Sequence, residues 1–337
     1  MRKAILLYNP LSGRRHRRRL ADVKAALAVL QEAGVNATVE PTRGQAEAAG
    51  QARHAIALGC DTVFACGGDG TVHDVLQGML GSDAALGIIP LGTANALAHD
   101  LGLPLTAAAA ARASLSAEPR RVALGRVDYV DFEGNRASRL FTVAAGIGVD
   151  AHLFYKLNPL LKGSLGMVAY YVQATRLWLT HPLEKFAIEV DSPGDTGNQA
   201  PGDRTTGAQP ARTQAEVSQL LAVRICNFGG VLRELAPGAS LARNDLRLVL
   251  FRTRSRLAYL RYIIRGLVGA RWQVGGIDLL HGVKLKCRTL ATSASSSRVF
   301  VEADGELLGT LPAQISVVPE GVTLLFPCGT DNPVRRP

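Results

Sequence analysis

The chain has 337 residues, 47% of them hydrophobic, with 35 glycines and 16 prolines. This length exceeds what one hydrophobic core usually serves, so two globular domains are expected. Aromatic residues make up only 5%, which argues against stacking platforms for single-stranded nucleic acid. The net charge of +10 favours anionic partners such as nucleotides, nucleic acid or acidic lipid surfaces, without choosing among them. The five cysteines are scattered and never form CxxC, so neither a zinc site nor a disulfide framework is expected, and a reducing compartment is predicted.

Strand and helix signals alternate over the first 120 residues. The apolar run KAILLY (3–8) predicts a buried strand, and its end at Asn9-Pro10 favours a first strand over a signal peptide. Apolar residues at helical spacing follow over 17–34. Further strands are predicted at 35–40, 61–66 and 86–90, and further helices at 44–59 and 71–80. Such alternation predicts a parallel sheet covered by helices.

From residue 121 the pattern becomes β-rich. Strand-like segments occur at 121–132, 139–150, 185–191, 216–227, 245–251 and 283–287. Helical stretches are predicted at 163–180 and 255–272, and the Gly-, Pro- and Ser-rich segment 192–213 is predicted to be a long, disordered loop. We therefore expect an α/β domain at 1–121 and a β-rich domain at 122–312, with 313–327 returning to pack on the first domain.

The length of the apolar runs indicates whether the chain can span a membrane. No stretch of the sequence reaches the roughly 18 to 20 uninterrupted apolar residues that a membrane span needs. We therefore expect a cytoplasmic protein that is at most peripheral to a membrane.

Three strands of the first domain end in glycine-bearing turns, NPLSG (9–13), GGDGT (67–71) and LGTAN (91–95). Ligands of open α/β sheets bind at the carboxyl ends of strands, where glycines let backbone N–H groups approach phosphate oxygens. Three such loops on one sheet predict a nucleotide cradle. The Walker pattern GxxxxGK[ST] does not occur. GIGVDA (146–151) fits GxGxxA, but Asn158-Pro159 interrupts the helix that a dinucleotide fold needs, so a strand-end turn is favoured there.

The ordered motifs NPLSG, PTRGQA, GGDGTVHDV, PLGTANALAHDLGLP and EADGELLG resemble those of the diacylglycerol kinase catalytic superfamily, which includes bacterial lipid kinases and sphingosine and ceramide kinases. The resemblance covers nearly the whole chain. It implies a phosphofructokinase-like or NAD-kinase-like α/β domain that binds ATP. It also implies a β-sandwich domain that receives the lipid, with the active site in the cleft between the two.

The resemblance also implies residue roles. Asp69 acts through Mg²⁺ on the ATP phosphates, because phosphoryl transfer depends mostly on positioning and charge neutralisation. Asp304 is the general base that accepts the proton of the lipid hydroxyl, and Glu306 orients it or helps to hold metal. The residues matched to ATP binding are Asn9, Thr42, Gly67, Gly68, Asp69, Gly70, Thr71, Val72, His73 and Thr93.

Two of these residues can also be interpreted as purely structural. From local sequence alone Asp304-Gly305 predicts a hairpin turn, and Asp69 predicts a cap for the helix that follows it. Either reading is compatible with the implied role. His73 is not expected to be the base.

The sequence departs from the family pattern where relatives hold an accessory Mg²⁺ with a carboxylate. The aligned position is Arg243, followed by Asn244, and Arg247 replaces another usual acid, while Asp245 needs a register shift to serve. An arginine cannot ligate a cation. We therefore expect the accessory magnesium site to be absent, or its role to be taken by Arg243.

Other departures bear on the lipid. GTANALAH has Ala96 at the usual acid, and the pair His73-Asp74 is similar to the His-Glu pair of sphingosine-kinase-like sequences. These features favour a long-chain base or ceramide, while diacylglycerol or another glycerolipid stays open.

Two basic segments are candidates for contact with an anionic membrane, RRHRRRL (14–20) and the helix at 254–272. On an ideal helix Arg254, Arg261 and Arg265 share one face, and Leu257, Ile264 and Val268 lie to one side. The alternative is an ordinary amphipathic surface helix. The membrane hypothesis assigns vesicle binding to Arg261 and Arg265.

These observations favour an ATP- and Mg²⁺-dependent lipid kinase that phosphorylates a primary hydroxyl, with no nucleic-acid partner. Two alternatives stay open. One is an NAD-kinase-like enzyme, since that family also uses GGDGT, and the other is a catalytically silent nucleotide- and lipid-binding protein. The acceptor lipid, the oligomeric state and the choice between ATP and GTP are not determined by the sequence.

Overall fold

The computed structural model describes residues 1–10, 16–44, 47–149, 183–192, 212–229, 235–270, 272–290 and 298–328. The predicted helix at 163–180 and almost all of the predicted loop at 192–213 lie outside these ranges, as do residues 11–13 of NPLSG and the start of RRHRRRL. Within the described part of the chain, no helix is both long and apolar enough to cross a bilayer.

The N-terminal part is a parallel sheet with helices on it. Strand β3, TVFACG, is buried along its whole length because both of its faces are covered. The strands are β1 (Lys3–Tyr8), β2 (Asn36–Pro41), β3 (Thr62–Gly67) and β4 (Ala85–Pro90), in the order β2-β1-β3-β4. The helices are α1 (His16–Glu32), α2 (Ala48–Ala57), α3 (Asp69–Leu76), α4 (Ala96–Asp100) and α5 (Ala107–Leu115).

The second part is β-rich. Its strands are β5 (Glu118–Val130), β6 (Arg136–Phe141), β7 (Ala144–Gly148), β8 (Phe186–Asp191), β9 (Arg212–Val217), β10 (Gln219–Val223), β11 (Leu246–Phe251), β12 (Ile277–Gly282), β13 (Lys284–Thr289), β14 (Phe300–Ala303) and β15 (Glu306–Phe326). One further described helix, α6 (Arg256–Val268), connects β11 to β12. The predicted combination of an α/β part with a β-rich part is confirmed.

Strand β15 joins the two parts. It is 21 residues long and pairs antiparallel with β5, β13 and β14. Near its end it pairs parallel with β4, where Thr323 lies opposite Ala85. Among the described residues a 15-stranded sheet therefore runs from the β-rich part into the α/β part, and the end of β15 lies beside β4 in the α/β part.

Two predicted strands are each divided in two. The segment 139–150 covers the end of β6 and all of β7, and the segment 216–227 covers the end of β9 and all of β10, separated at Ser218. The first division has a clear cause, because the backbone N–H groups of Thr142, Val143 and Ala144 turn toward one carboxylate, that of Asp304. Strand β12 was not predicted, and β14 and β15, which flank the predicted Asp304-Gly305 hairpin turn, meet at that same carboxylate.

Candidate active site

Two glycine-bearing loops touch each other at the carboxyl ends of β3 and β4. A Cβ atom added to Gly92 would lie 2.4 Å from the Cα atom of Gly68, and one added to Gly68 would lie 3.2 Å from the Cα atom of Gly92. Both glycines are therefore needed for the backbones to approach this closely. The contact places GGDGT and LGTAN side by side, as expected for a cradle at the carboxyl edge of a parallel sheet.

Asp69 ties these loops together. Its carboxylate accepts the backbone N–H of Asn95 at 2.9 Å and that of Ala96 at 2.6 Å. Asn95 has φ 51°, a left-handed conformation, at the start of α4. Asp69 therefore caps α4 and not its own helix α3, where the local sequence pattern placed it. Burial raises the pKa of this carboxyl, and the nearby charge of Asp304 adds to the rise.

The hydroxyl of Thr71 lies at the start of α3. Its Oγ1 atom is buried and has no hydrogen-bond partner within the described residues. It lies directly over Gly67, since a Cβ atom on that glycine would be 2.2 Å from it. An unpaired buried hydroxyl is costly, and here it faces the positive end of a helix dipole. The arrangement fits a phosphate oxygen.

The turn between β14 and β15 carries the second group of predicted site residues. Asp304 has φ 49° and Gly305 has φ 82°, the positive pair expected of a two-residue hairpin. The hairpin that the local Asp-Gly pattern predicts is therefore present. Pairing of β14 with β7 and of β15 with β5 brings this turn to the glycine loops.

The carboxylate of Asp304 is surrounded by hydrogen-bond donors. One oxygen accepts the backbone N–H groups of Val143 at 2.9 Å and Ala144 at 3.1 Å. The other accepts the backbone N–H of Thr142 at 3.0 Å and its hydroxyl at 3.3 Å, and lies 3.2 Å from Nδ1 of His73. The side chain is only 2% exposed. Five donors thus occupy the roughly four lone-pair positions of one carboxylate.

His73 is fully buried between Asp304 and Arg139. Arg139 Nε donates to His73 Nε2 at 3.0 Å. A guanidinium only donates, so Nε2 must accept, and the proton must lie on Nδ1, from which it is donated to Asp304. The hydrogen bonds therefore fix one neutral tautomer of the ring.

Arg139 also holds two carboxylates. Its Nη2 atom donates to Asp74 at 3.2 Å and to Glu306 at 3.3 Å. Burial, together with the charge of Glu306, raises the pKa of Asp74 to about 7, while the charge of Arg139 opposes the rise. Arg139 therefore links the GGDGTVHD segment to the late Asp-Gly-Glu segment through a single guanidinium.

Glu306 reaches the glycine loop itself. Its Oε1 atom would be 3.7 Å from a Cβ atom on Gly70, and its side chain is 20% exposed. Glu306 is thus the more accessible carboxylate of the Asp304-Gly305-Glu306 turn, and it faces the start of α3.

The remaining predicted nucleotide residues follow the carboxyl ends of neighbouring strands. Asn9 follows β1 and donates its backbone N–H to the carbonyl of Cys66 at 3.2 Å. Thr42 follows β2 and donates its N–H to Tyr8 at 2.8 Å. Thr93 is exposed in the loop after β4. All lie on the cradle edge, with Thr42 furthest from GGDGT because β2 is two strands from β3.

Two residues of this cluster were not singled out from the sequence, Arg139 and Thr142. A weak signal existed for the first, because strand alternation places Arg139 on the same face as the fully buried Phe141. An inward-facing arginine on an apolar strand face requires a partner. No sequence signal marked Thr142, since its role depends on where Asp304 is brought.

The residues of this chain at the position of the relatives' accessory magnesium site do not suit a cation. Asp245 is held by Arg243, whose Nε atom donates to it at 2.8 Å, and His281 Nδ1 lies 3.2 Å away. Burial acts to raise the pKa of the Asp245 carboxyl, but the hydrogen bond and the charge of Arg243 outweigh it and lower that pKa. No cluster of three or more acidic, His or Cys side chains suited to a metal ion occurs among the described residues.

A buried arginine, Arg224, lies beside that position. Its guanidinium is fully buried and donates to four backbone carbonyl oxygens, those of Ala123 at 3.0 Å, Arg243 at 2.8 Å, Leu241 at 3.3 Å and Asp245. Asp100, which caps the backbone N–H groups of Cys226 and Asn227, interacts electrostatically with it. The positive charge among these carbonyls is thus Arg224, and the expectation that Arg243 takes the cation's role is corrected.

Known proteins resemble both parts of the chain. Residues 3–127 match the family model of the diacylglycerol kinase catalytic domain, and residues 142–326 match the YegS C-terminal NAD kinase beta sandwich-like domain. A diacylglycerol kinase of Bacillus subtilis is 27% identical over 318 residues, covering 93% of each chain. One of Mycobacterium tuberculosis is 29% identical over 334 residues, covering 96% of this chain and 95% of the relative.

A crystal structure of a diacylglycerol kinase from Bacillus anthracis superposes with a TM-score of 0.66 at 18% identity, covering 96% of both chains. At this identity the likeness concerns the fold alone. The α/β sheet with a β-sandwich is therefore the fold of lipid kinases of this kind. The chain belongs to the diacylglycerol kinase catalytic superfamily, in its YegS-like branch, and its class is that of a lipid kinase.

Proposed function

We propose that the protein transfers the γ-phosphoryl group of ATP to a primary hydroxyl of a lipid. The observation that carries the proposal is that the Asp304–Glu306 turn lies next to the glycine cradle. His73 and Asp304 are in contact there although they are 231 residues apart in the sequence. A phosphate-binding edge and a cluster of carboxylates are what phosphoryl transfer to an alcohol requires.

The nucleotide would lie along the cradle edge. Gly68 and Gly92 leave the backbone open to phosphate oxygens, and the start of α3 presents the Thr71 hydroxyl and the helix dipole. Asp69 would hold Mg²⁺ together with the phosphates. When bound, Mg²⁺ neutralises charge on the transferring phosphoryl group. A site with one protein carboxylate agrees with the usual mode of Mg²⁺ binding, in which phosphates and water supply the other ligands.

The proton of the lipid hydroxyl must go to a carboxylate in this cluster. The family resemblance assigns it to Asp304, but Asp304 is buried and already accepts five donors. Glu306 is more exposed and faces the phosphate side of the cradle. We therefore propose Glu306 as the group that meets the hydroxyl, with Asp304 as the anion that fixes His73 and the backbone at 142–144.

The roles proposed for Glu306 and Asp304 predict different effects of substitution on turnover and thermal stability. We expect Glu306→Gln to lower kcat by about 10²- to 10⁴-fold, the usual worth of a general base, while its melting temperature stays close to that of the native protein. Asp304→Asn places an amide N–H₂ among five donors, so it should lose both activity and thermal stability. Kinetics with scanning calorimetry decide the matter. If Asp304→Asn loses only turnover and Glu306→Gln stays active, Asp304 is the base.

The lipid acceptor would enter from the β-rich side. A cavity of about 670 Å³ opens there, lined mainly by residues of β5, β6, β13 and β15, a volume typical of small-molecule sites. Two residues that line the cavity, Tyr129 and Ala137, lie opposite each other on β5 and β6. The pair Val127 and Arg139 lies two residues further along the same strands, or about 7 Å away. This cavity could take a diacylglycerol, another glycerolipid or a sphingoid base or ceramide.

One assay separates the candidate activities. Radiolabelled ATP and Mg²⁺ are incubated with a mixed lipid extract and NAD. Labelled phospholipid supports the proposal and names the acceptor by chromatography. Labelled NADP would identify an NAD kinase instead. ATP binding without any labelled product would identify a catalytically silent protein.

A lipid kinase of this kind must also reach a bilayer. We propose peripheral contact with an anionic membrane, supported by the net charge of +10 and by the nature of the substrate.

A further inference from the structure

Helix α6 packs on the β-rich domain through one apolar face. Tyr259 and Tyr262 are buried against Phe251, with ring centroids 4.4 Å and 5.3 Å apart. Ser255 caps the helix at its start by accepting the N–H of Ala258, and Gly269 ends it in a left-handed conformation. These contacts fix the rotation of the helix about its axis.

The opposite side of α6 is also apolar, but it is exposed. The exposed fractions of its six large apolar side chains run from 40% for Ile263 to 69% for Val268. At about 100° per residue they span an arc of roughly 140°. The face consists of Leu257, Leu260, Ile263, Ile264, Leu267 and Val268, and we call it the outer face of α6.

An exposed face of this kind has a cost in water. A helix that is apolar on all sides is normally buried on all sides, and large contiguous apolar patches mark interaction sites. The six exposed apolar side chains of the outer face form such a patch on one helix. Its surroundings indicate the kind of partner that would cover it.

The charge around the outer face is of one sign. Residues 246–277 contain seven arginines and no aspartate or glutamate. Arg254 and Arg261 are exposed beside the outer face, and Trp272, just after the helix, is 47% exposed. Apolar side chains flanked by arginines and an interfacial tryptophan are the pattern of a helix that lies in the surface of an anionic bilayer.

The contacts of Arg265 correct the sequence hypothesis. That residue is only 4% exposed, donates to the carbonyl of Leu235 at 3.4 Å and lies 4.3 Å from the ring of Tyr262. Its guanidinium therefore belongs to the protein interior. The assignment of vesicle binding to Arg265 was wrong, because the helix is rotated so that Leu260 and Ile264 face outward instead.

We propose that the outer face of α6 inserts into the headgroup and acyl boundary of an anionic bilayer, with Arg254 and Arg261 at the lipid phosphates. The inference deepens the proposed function, because it supplies the surface by which a lipid kinase meets its substrate. Apolar insertion supplies most of the affinity, and the arginines supply the preference for anionic lipid.

The test is sedimentation of the full chain with vesicles of phosphatidylcholine alone or mixed with phosphatidylglycerol. We expect binding to the mixed vesicles, lowered at least about tenfold in Leu260→Ser/Ile264→Ser because two apolar groups that would insert into the bilayer are lost. The matched control is Leu58→Ser, since Leu58 is 60% exposed on the α/β domain. It should bind as the native chain does. Arg261→Glu should weaken binding only to the anionic vesicles.

Three results would overturn the inference. The first is equal vesicle binding by Leu260→Ser/Ile264→Ser and the native chain. The second is loss of binding in Leu58→Ser to the same degree. The third is a native dimer in light scattering that the double variant converts to monomer, with vesicle binding unchanged, since the outer face would then bind a second copy.

Turnover of a short-chain lipid dispersed in detergent micelles separates this inference from the proposed function. We expect the double variant to keep this activity while it loses activity on vesicles. A native chain that binds vesicles but phosphorylates no lipid would refute the kinase proposal and leave the docking surface supported.

Discussion

Replacing Arg224 by methionine should destabilise the protein more than any surface change. The guanidinium is fully buried and donates to four backbone carbonyls. Methionine fills a similar volume but leaves these carbonyls without a donor and Asp100 without its positive neighbour. Breaking a buried charged contact by removing one partner costs about 3–5 kcal/mol. At roughly 2–4 °C per kcal/mol for a chain of this size class, the melting temperature should fall by roughly 6–20 °C.

The pH dependence of this loss distinguishes a charge effect from a packing effect. Burial raises the pKa of Asp100 to about 6, partly opposed by the N–H groups of Asn227 and Cys226 and by Arg224. Above that pH the carboxylate is ionised and needs the cation, while at pH 5 it is largely protonated. The deficit of Arg224→Met should therefore be larger at pH 8 than at pH 5.

Calorimetry of three proteins tests the reasoning. Arg53→Met, at an exposed position on α2, is the control and should change stability by no more than about 0.5 kcal/mol. The melting temperature of the native chain without nucleotide should not change with EDTA, because Arg224 supplies the charge that a structural cation would. A shift below about 2 °C for Arg224→Met, or a large drop with EDTA, would refute the argument.

Two further predictions concern the active site. Gly92→Ala puts a Cβ atom 2.4 Å from the Cα atom of Gly68, so the two loops must separate. We expect ATP affinity to fall at least tenfold in isothermal titration while Gly275→Ala, where an added Cβ atom meets nothing within 4 Å, binds normally; equal affinities would show that the loops do not form the nucleotide site. Asp74→Asn concerns stability against pH. Because burial raises the pKa of Asp74 in the folded protein to about 7, above its ordinary 3.8, this group binds more protons in the native state between these values, and its contribution to stability falls as pH rises from 4 to 7. The variant should lose this slope, at most about 1.4 kcal/mol per pH unit, and identical slopes in urea titrations would contradict the raised pKa.

The sequence by itself determined the local features of this protein. Strand-like apolar runs alternate with apolar residues at helical spacing, and this pattern predicts the strands and helices of the α/β part. The glycines after β3 and β4 mark the cradle. The Asp304-Gly305 pair gives its hairpin from backbone preference alone. The order of the motifs also identified the family, because each motif is short and local and can be read without knowing what it touches.

Tertiary structure alone decided which distant groups meet. Arg139 lies 66 residues from His73, and nothing in its own segment says that β6 carries it to that ring. Arg224 is surrounded by four carbonyls only because the fold brings β5 and the segment 241–245 together around it. Ideal helix geometry predicts the angle between Arg265 and Leu260 around the helix axis. It does not predict how the helix is rotated on the β-rich domain, and that rotation buries Arg265 and exposes Leu260. These choices depend on long-range strand pairing and packing, whose energies are set by partners far away in the sequence.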